Sequence, residues 1–158
     1  MAETTNQTVS SEYDDLKLEN QLCFPLYAAS REVVKQYTPY LKPLGLTYTQ
    51  YITLMVLWEE QEITVHDLCG RLYLDSGTLS PVLKKLESMG YVTRERKKED
   101  ERVVIARITE EGRALEQKLE HVPEALACQI NRKKAVITPK EAERMKKELY
   151  RIIDALNE

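Results

Sequence analysis

The stretch from Leu74 to Arg107 constrains this chain most, because the hydrophobic period changes inside it. Leu79, Val82, Leu83 and Leu86 recur at helical spacing and give one apolar face. Asp75 or Ser76 can cap that helix, since a side-chain oxygen accepts the free N–H groups of a first turn. Gly90 stands where the helix should end, because glycine tolerates the left-handed conformation there. Beyond it, Val92, Arg94 and Arg96 lead to a charged tip from Lys97 to Arg102, and residues 103–108 return as a β-branched run. That second half predicts a hairpin with a solvated basic tip.

A short helix followed at once by an arginine-rich hairpin is the plan of a winged helix-turn-helix. The helix presents Ser76, Thr78, Ser80 and Lys84 to a major groove, with Asp75 as cap and contact. Pro81 offers an apolar surface suited to a thymine methyl, and the hairpin tip lies over the neighbouring backbone and minor groove. An ordinary helix and hairpin with a solvated turn is the alternative on residue types alone. Charge distribution leans weakly toward DNA. Residues 74–107 hold eight basic and six acidic side chains, a local charge of +2, whereas the chain as a whole carries −3.

The remaining segments predict helices around this unit. Apolar positions from Leu16 to Leu41 fit one long amphipathic helix from about Asp14 to Tyr40, which Pro25 either starts or kinks. Thr47-Tyr-Thr-Gln50 reads as a capping box opening a buried helix to Glu60, and Thr64 caps the next, which runs to Tyr73. A helix from Thr109 to about Ile130 should bend at Pro123, and Thr138-Pro-Lys-Glu141 caps the last. The fold class is mainly α with a small β-wing (α+β). Residues 1–13 are expected to be a disordered lead, 47–108 the winged helix-turn-helix domain, and 14–46 with 109–158 a helical dimerisation region. The terminal apolar stripes lie outside the compact unit, and a second copy about a two-fold axis is their simplest partner. Two recognition helices would then read a palindromic site with half-sites about 34–36 Å apart.

No apolar run approaches a membrane span, and the polar N-terminus has no signal core, so a cytoplasmic protein is expected. Cys23, Cys69 and Cys128 are odd in number and far apart, which does not suit a secreted disulfide framework. His66 and Cys69 at i, i+3 are too few for a metal site, and no cofactor or metal is expected. If Pro25 marks a first turn, Cys23 lies where the helix dipole favours an anion. Read without further context, Cys23 is a small buried hydrophobe and the tyrosines are core or dimer packing.

Leu74-Asp-Ser-Gly-Thr-Leu-Ser-Pro-Val-Leu-Lys-Lys-Leu-Glu, with Asp100-Glu-Arg102 at the wing, resembles the MarR family of dimeric bacterial transcription regulators. Leu18-Glu-Asn-Gln-Leu-Cys-Phe24 is similar to one branch of it, the organic-hydroperoxide sensors of the OhrR type. The resemblance spans roughly residues 14 to 157. It implies that Cys23 is a peroxide-sensing thiol held by Tyr27, Tyr37 and Tyr48, with one or two phenols from its own first helix and one from the partner subunit. It implies a wing in which Asp100 positions Arg102 for the minor groove, with Arg94 and Arg96 on the DNA backbone. It also marks Cys128 as a candidate resolving cysteine, the other route being capture of the oxidised thiol by a small cellular thiol. The implied function is a homodimeric repressor that releases its operator when an organic hydroperoxide oxidises Cys23. Two rivals stand beside it: a MarR-type regulator that binds an apolar or phenolic small molecule, and a thiol peroxidase enzyme. The complete wing counts against an enzyme.

Overall fold

The computed structural model describes residues 13–132 and 137–157, so the expected N-terminal lead falls outside them except for Tyr13. Two single 3-10 turns, Asp14–Leu16 and Leu18–Asn20, precede the first helix, α1 (Cys23–Gln36). The helix expected from Asp14 to Tyr40 is therefore shorter at both ends. Pro25 is its third residue, where an N–H has no intrahelical acceptor, so the proline starts the helix and does not kink it. At the far end the chain turns at Tyr37 into a one-turn helix, α2 (Thr38–Leu41), with Pro39 in its first turn.

Thr47 opens α3 (Tyr48–Glu60) with the anticipated capping box. Its hydroxyl accepts from the Gln50 N–H at 3.3 Å, and the Gln50 side chain accepts from the Thr47 N–H at 2.8 Å. Thr47→Ala removes one of the two bonds. It should destabilise the fold by about 1 kcal/mol and lower the thermal midpoint by about 2–4 °C, read by circular dichroism.

The core gathers around α3. Leu54 and Leu57 pack with Leu68 of α4 (Val65–Leu72) and with Leu79, Leu83 and Leu86 of α5 (Ser76–Ser88), all wholly buried. Each leucine so buried contributes about 1.5–3 kcal/mol. Gly90, at φ +80°, ends the α5 turn as anticipated. Strands β1 (Glu62–Thr64), β2 (Val92–Lys97) and β3 (Asp100–Ile108) form an antiparallel sheet in the order β1-β3-β2. On its central strand, Arg107 pairs with Glu62 of β1 and Glu95 of β2, joining all three strands.

The helix expected to bend at Pro123 is instead two. After α6 (Glu110–Leu119) the chain breaks, and α7 (Val122–Arg132) takes Pro123 as its second residue, where a proline fits. Thr138 caps α8 (Pro139–Asn157), with its N–H and hydroxyl both bonded to Glu141. Neither α1 nor α8 has a buried residue, and Phe24, Val33, Met145, Ile152 and Leu156 all face solvent. Among the described residues no helix is long and apolar enough to cross a membrane.

Candidate DNA interface and thiol site

The recognition helix α5 is organised by its first turn. The Asp75 carboxylate accepts from the Thr78 N–H at 2.8 Å and the Thr78 hydroxyl at 2.7 Å, and these bonds hold its acidity below the usual carboxylate range. A Cβ at Gly77 would lie 2.9 Å from the Asp75 carboxylate, so a side chain there would push the cap aside. Leu79, Leu83 and Leu86 anchor the inner face, which leaves Asp75, Ser76, Thr78, Pro81 and Lys84 exposed and Ser80 half-buried. The Ser80 hydroxyl donates to the Ser76 carbonyl at 2.6 Å, leaving its oxygen lone pairs available to an outside donor.

The wing carries its charges unequally. Arg102 is 95% exposed at the tip, and its N–H bonds the Asp100 carboxylate at 3.0 Å, so Asp100 shapes the turn that presents it. Arg96 is exposed and donates to the Glu101 carbonyl across the hairpin at 2.8 Å. Arg94, expected on the DNA backbone, is engaged within the chain. It is half-buried, and its backbone N–H, Nε and Nη2 all bond the Glu87 carboxylate. This clamp ties the end of α5 to β2, the first strand of the wing, and the guanidinium holds Glu87 below its ordinary acidity range. Glu87 escaped sequence reading because no periodicity spans a helix-to-strand junction.

Cys23 is exposed at the first position of α1, whose N-cap, Leu22, supplies no side-chain acceptor. A thiolate there meets the unsatisfied first-turn N–H groups and the positive end of the helix. Tyr27 lies one turn on, and its hydroxyl accepts from Arg31 at 3.3 Å. Tyr37 and Tyr48 meet each other, with ring centroids 4.8 Å apart. They do not meet Cys23, because Tyr37 stands fourteen residues along α1 from it, about 21 Å at 1.5 Å per residue. The constellation therefore comes in two halves. Of the three, only Tyr27 lies within a turn of Cys23, and Tyr37 stands with Tyr48 at the far end of α1. Burial pushes the Tyr37 and Tyr48 phenols up, so both remain protonated donors at neutral pH.

Cys128 is exposed on α7. Its neighbour Gln129 bonds Gln36 at 3.1 Å, which sets Cys128 near the end of α1 opposite Cys23. Cys69 is half-buried in α4, and burial, with Asp75 nearby, pushes its thiol up, away from the reactive form. Among the described residues no cluster of three His, Cys, Asp or Glu could hold a metal.

A capped recognition helix with an exposed hydroxyl-and-lysine face, clamped to an arginine-tipped hairpin, defines a winged-helix DNA-binding transcription regulator. The family Transcriptional regulator SarA/Rot matches residues 35–119. The organic hydroperoxide resistance transcriptional regulator of Bacillus subtilis (strain 168) is 50% identical over 115 residues, 73% of this chain and 78% of that protein. AbfR of Staphylococcus epidermidis, in its reduced form bound to DNA, is 36% identical over 92% of this chain and 98% of its own, with a TM-score of 0.71. AbfR in its disulfide form is 37% identical over 89% and 95% of the two chains, with a TM-score of 0.59. The chain belongs to the MarR family of winged-helix transcriptional regulators, in the SarA/Rot group and beside the organic hydroperoxide regulators. It is a DNA-binding regulator and not an enzyme.

Proposed function

We propose that the chain is a homodimeric repressor that senses organic hydroperoxides through Cys23 and then leaves its operator. The divided thiol site carries this reading. Cys23 and Tyr27 stand at one end of α1, and the Tyr37–Tyr48 pair stands at the other with hydroxyls that bond no described residue. A second copy related by a two-fold axis closes both halves at once, and it covers the exposed apolar faces of α1 and α8. The similarity to a hydroperoxide resistance regulator supports the signal.

The chemistry balances without a cofactor. The Cys23 thiolate attacks the distal oxygen of the hydroperoxide; an S–O bond forms and the O–O bond breaks. The alkoxide leaves and takes a proton as the alcohol, and the sulfur becomes a sulfenic acid. A second thiol then forms a disulfide with loss of water. Cys128 of the partner subunit is one source of it, since α1 separates the two cysteines of a single chain, and a small cellular thiol is the other. AbfR is known both reduced on DNA and with a disulfide formed, and the present chain superposes better on the former. Covalent closure at Cys23 would move α1 and α7 and so change the spacing of the recognition helices.

On DNA, Ser76, Thr78, Ser80 and Lys84 face the major groove with Pro81 beside a thymine methyl, Asp75 sets the first turn, and Arg102 enters the minor groove. Arg96 lies along the backbone, and Arg94 acts through Glu87. Fluorescence anisotropy on a palindromic operator, titrated with an organic hydroperoxide, should show release that a thiol reductant reverses. Hydroperoxide-insensitive binding would rule the proposal out. Arg102→Ala should weaken operator binding about tenfold and lower the salt slope by about one.

A further inference from the structure

Tyr51 is a residue that neither the resemblance nor the sequence reading placed in the thiol site. It lies one turn after Tyr48 on the same face of α3 and is only 3% exposed. Its ring sits 5.7 Å from that of Tyr37 and 6.5 Å from that of Tyr48, with Trp58 edge-on behind it at 6.1 Å. Trp58 is itself fixed, since its indole N–H donates to the Gly112 carbonyl at 2.8 Å. The Tyr51 ring is therefore held in one place. Its hydroxyl nonetheless bonds no described residue, and neither do those of Tyr37 and Tyr48.

The small part of Tyr51 that stays accessible includes its hydroxyl, so an incoming acceptor can reach it. Three such hydroxyls in one cluster, all protonated at neutral pH, form a set of donors lacking an acceptor. Burial and the neighbouring phenols keep Tyr51 protonated as they do Tyr37.

We propose that Tyr51 is a fourth phenol of the thiol pocket, its hydroxyl joining those of Tyr37 and Tyr48 as a donor to the thiolate and sulfenate of Cys23 of the partner subunit. The inference rests on the split-site reading above. A further donor favours the charged form of the thiol and so helps set the pH at which it reacts. It also narrows the pocket around the sulfur with an aromatic wall formed by Tyr51 and Trp58.

The test uses the reduced full-length protein. Iodoacetamide alkylation of Cys23, read on its own peptide by mass spectrometry across pH 5 to 9, gives the thiol midpoint. Tyr51→Phe keeps the ring and removes only the hydroxyl. It should raise that midpoint by about one pH unit and slow hydroperoxide-driven DNA release, with operator affinity of the reduced protein unchanged. Tyr51→Leu, which removes the ring as well, separates packing from hydrogen bonding. A wild-type midpoint in Tyr51→Phe, whatever Tyr51→Leu does, overturns the proposal and leaves Tyr51 as packing. The alkylation midpoint does not depend on hydroperoxide. If wild-type DNA release fails to require Cys23, the sensor reading falls, while a shifted midpoint still places Tyr51 at the thiol.

Discussion

Cys23→Ser should remain on its operator at hydroperoxide concentrations that strip the wild type from it. Serine keeps the size of the side chain at an exposed helix start, so folding is undisturbed. What changes is nucleophilicity. The thiolate is the form that attacks a peroxide, and a serine hydroxyl at its ordinary acidity is not ionised at neutral pH. Sensitivity should fall by about two orders of magnitude or more, while affinity of the reduced proteins for operator DNA stays within about twofold of each other, since α1 is not part of the reading head. Anisotropy titrations of the two proteins side by side make the comparison. Cys128→Ser adds the second half. Release without Cys128 means that a sulfenic acid, or a small thiol captured by it, suffices to move the helices. Loss of release means that the partner's thiol must close the disulfide. Wild-type behaviour in Cys23→Ser would transfer the response to a bound small molecule.

Local signals were legible in the sequence to the extent that one turn of chain determines them. The Thr47–Gln50 box, the Asp75 cap, the Gly90 stop and the Thr138–Glu141 cap each depend on residues three or four apart, and each forms. The winged-helix order followed from them. Helix ends around proline were less clear, because a proline is tolerated in a first turn and excluded from an interior, and periodicity alone does not say which it occupies. Pro25 and Pro123 both proved to be first-turn residues, so one expected helix starts late and another divides. Contacts between elements were illegible. The Glu87 clamp that holds Arg94 joins a helix to a strand, and the separation of Cys23 from Tyr37 depends on α1 being straight. Tyr51 is within reach of sequence, since it follows Tyr48 at helical spacing on a helix expected to be buried.

The largest loss of stability from a single methyl group should come at Gly112, and it explains how the wing is held to the rest of the domain. A Cβ on Gly112 would lie 2.3 Å from the Tyr91 carbonyl oxygen and 2.6 Å from the Ile108 Cδ1. The isoleucine end can shift; the carbonyl cannot, because it accepts the Thr109 N–H at 3.1 Å. Gly112 is also fixed by its own bonds. Its N–H donates to the Thr109 hydroxyl at 3.0 Å, and that hydroxyl donates to the Gly90 carbonyl at 2.7 Å. Its carbonyl accepts from Trp58. The first turn of α6 is thereby fastened to the end of the recognition helix, to the base of the wing and to α3 at one residue. Gly112→Ala forces these apart, and overpacking against backbone should cost about 3 kcal/mol. The thermal midpoint should fall by about 6–12 °C, with operator affinity falling as the wing loosens. Gly70 gives the contrast. It lies inside α4 with nothing within 4 Å of its Cβ position, so Gly70→Ala should hold or raise the midpoint by replacing a poor helix former with a good one. Calorimetry on the two variants decides it: equal midpoints would mean that the close approach at Gly112 does not govern the junction, whereas a wide gap locates there the contact that makes wing and recognition helix one rigid reader.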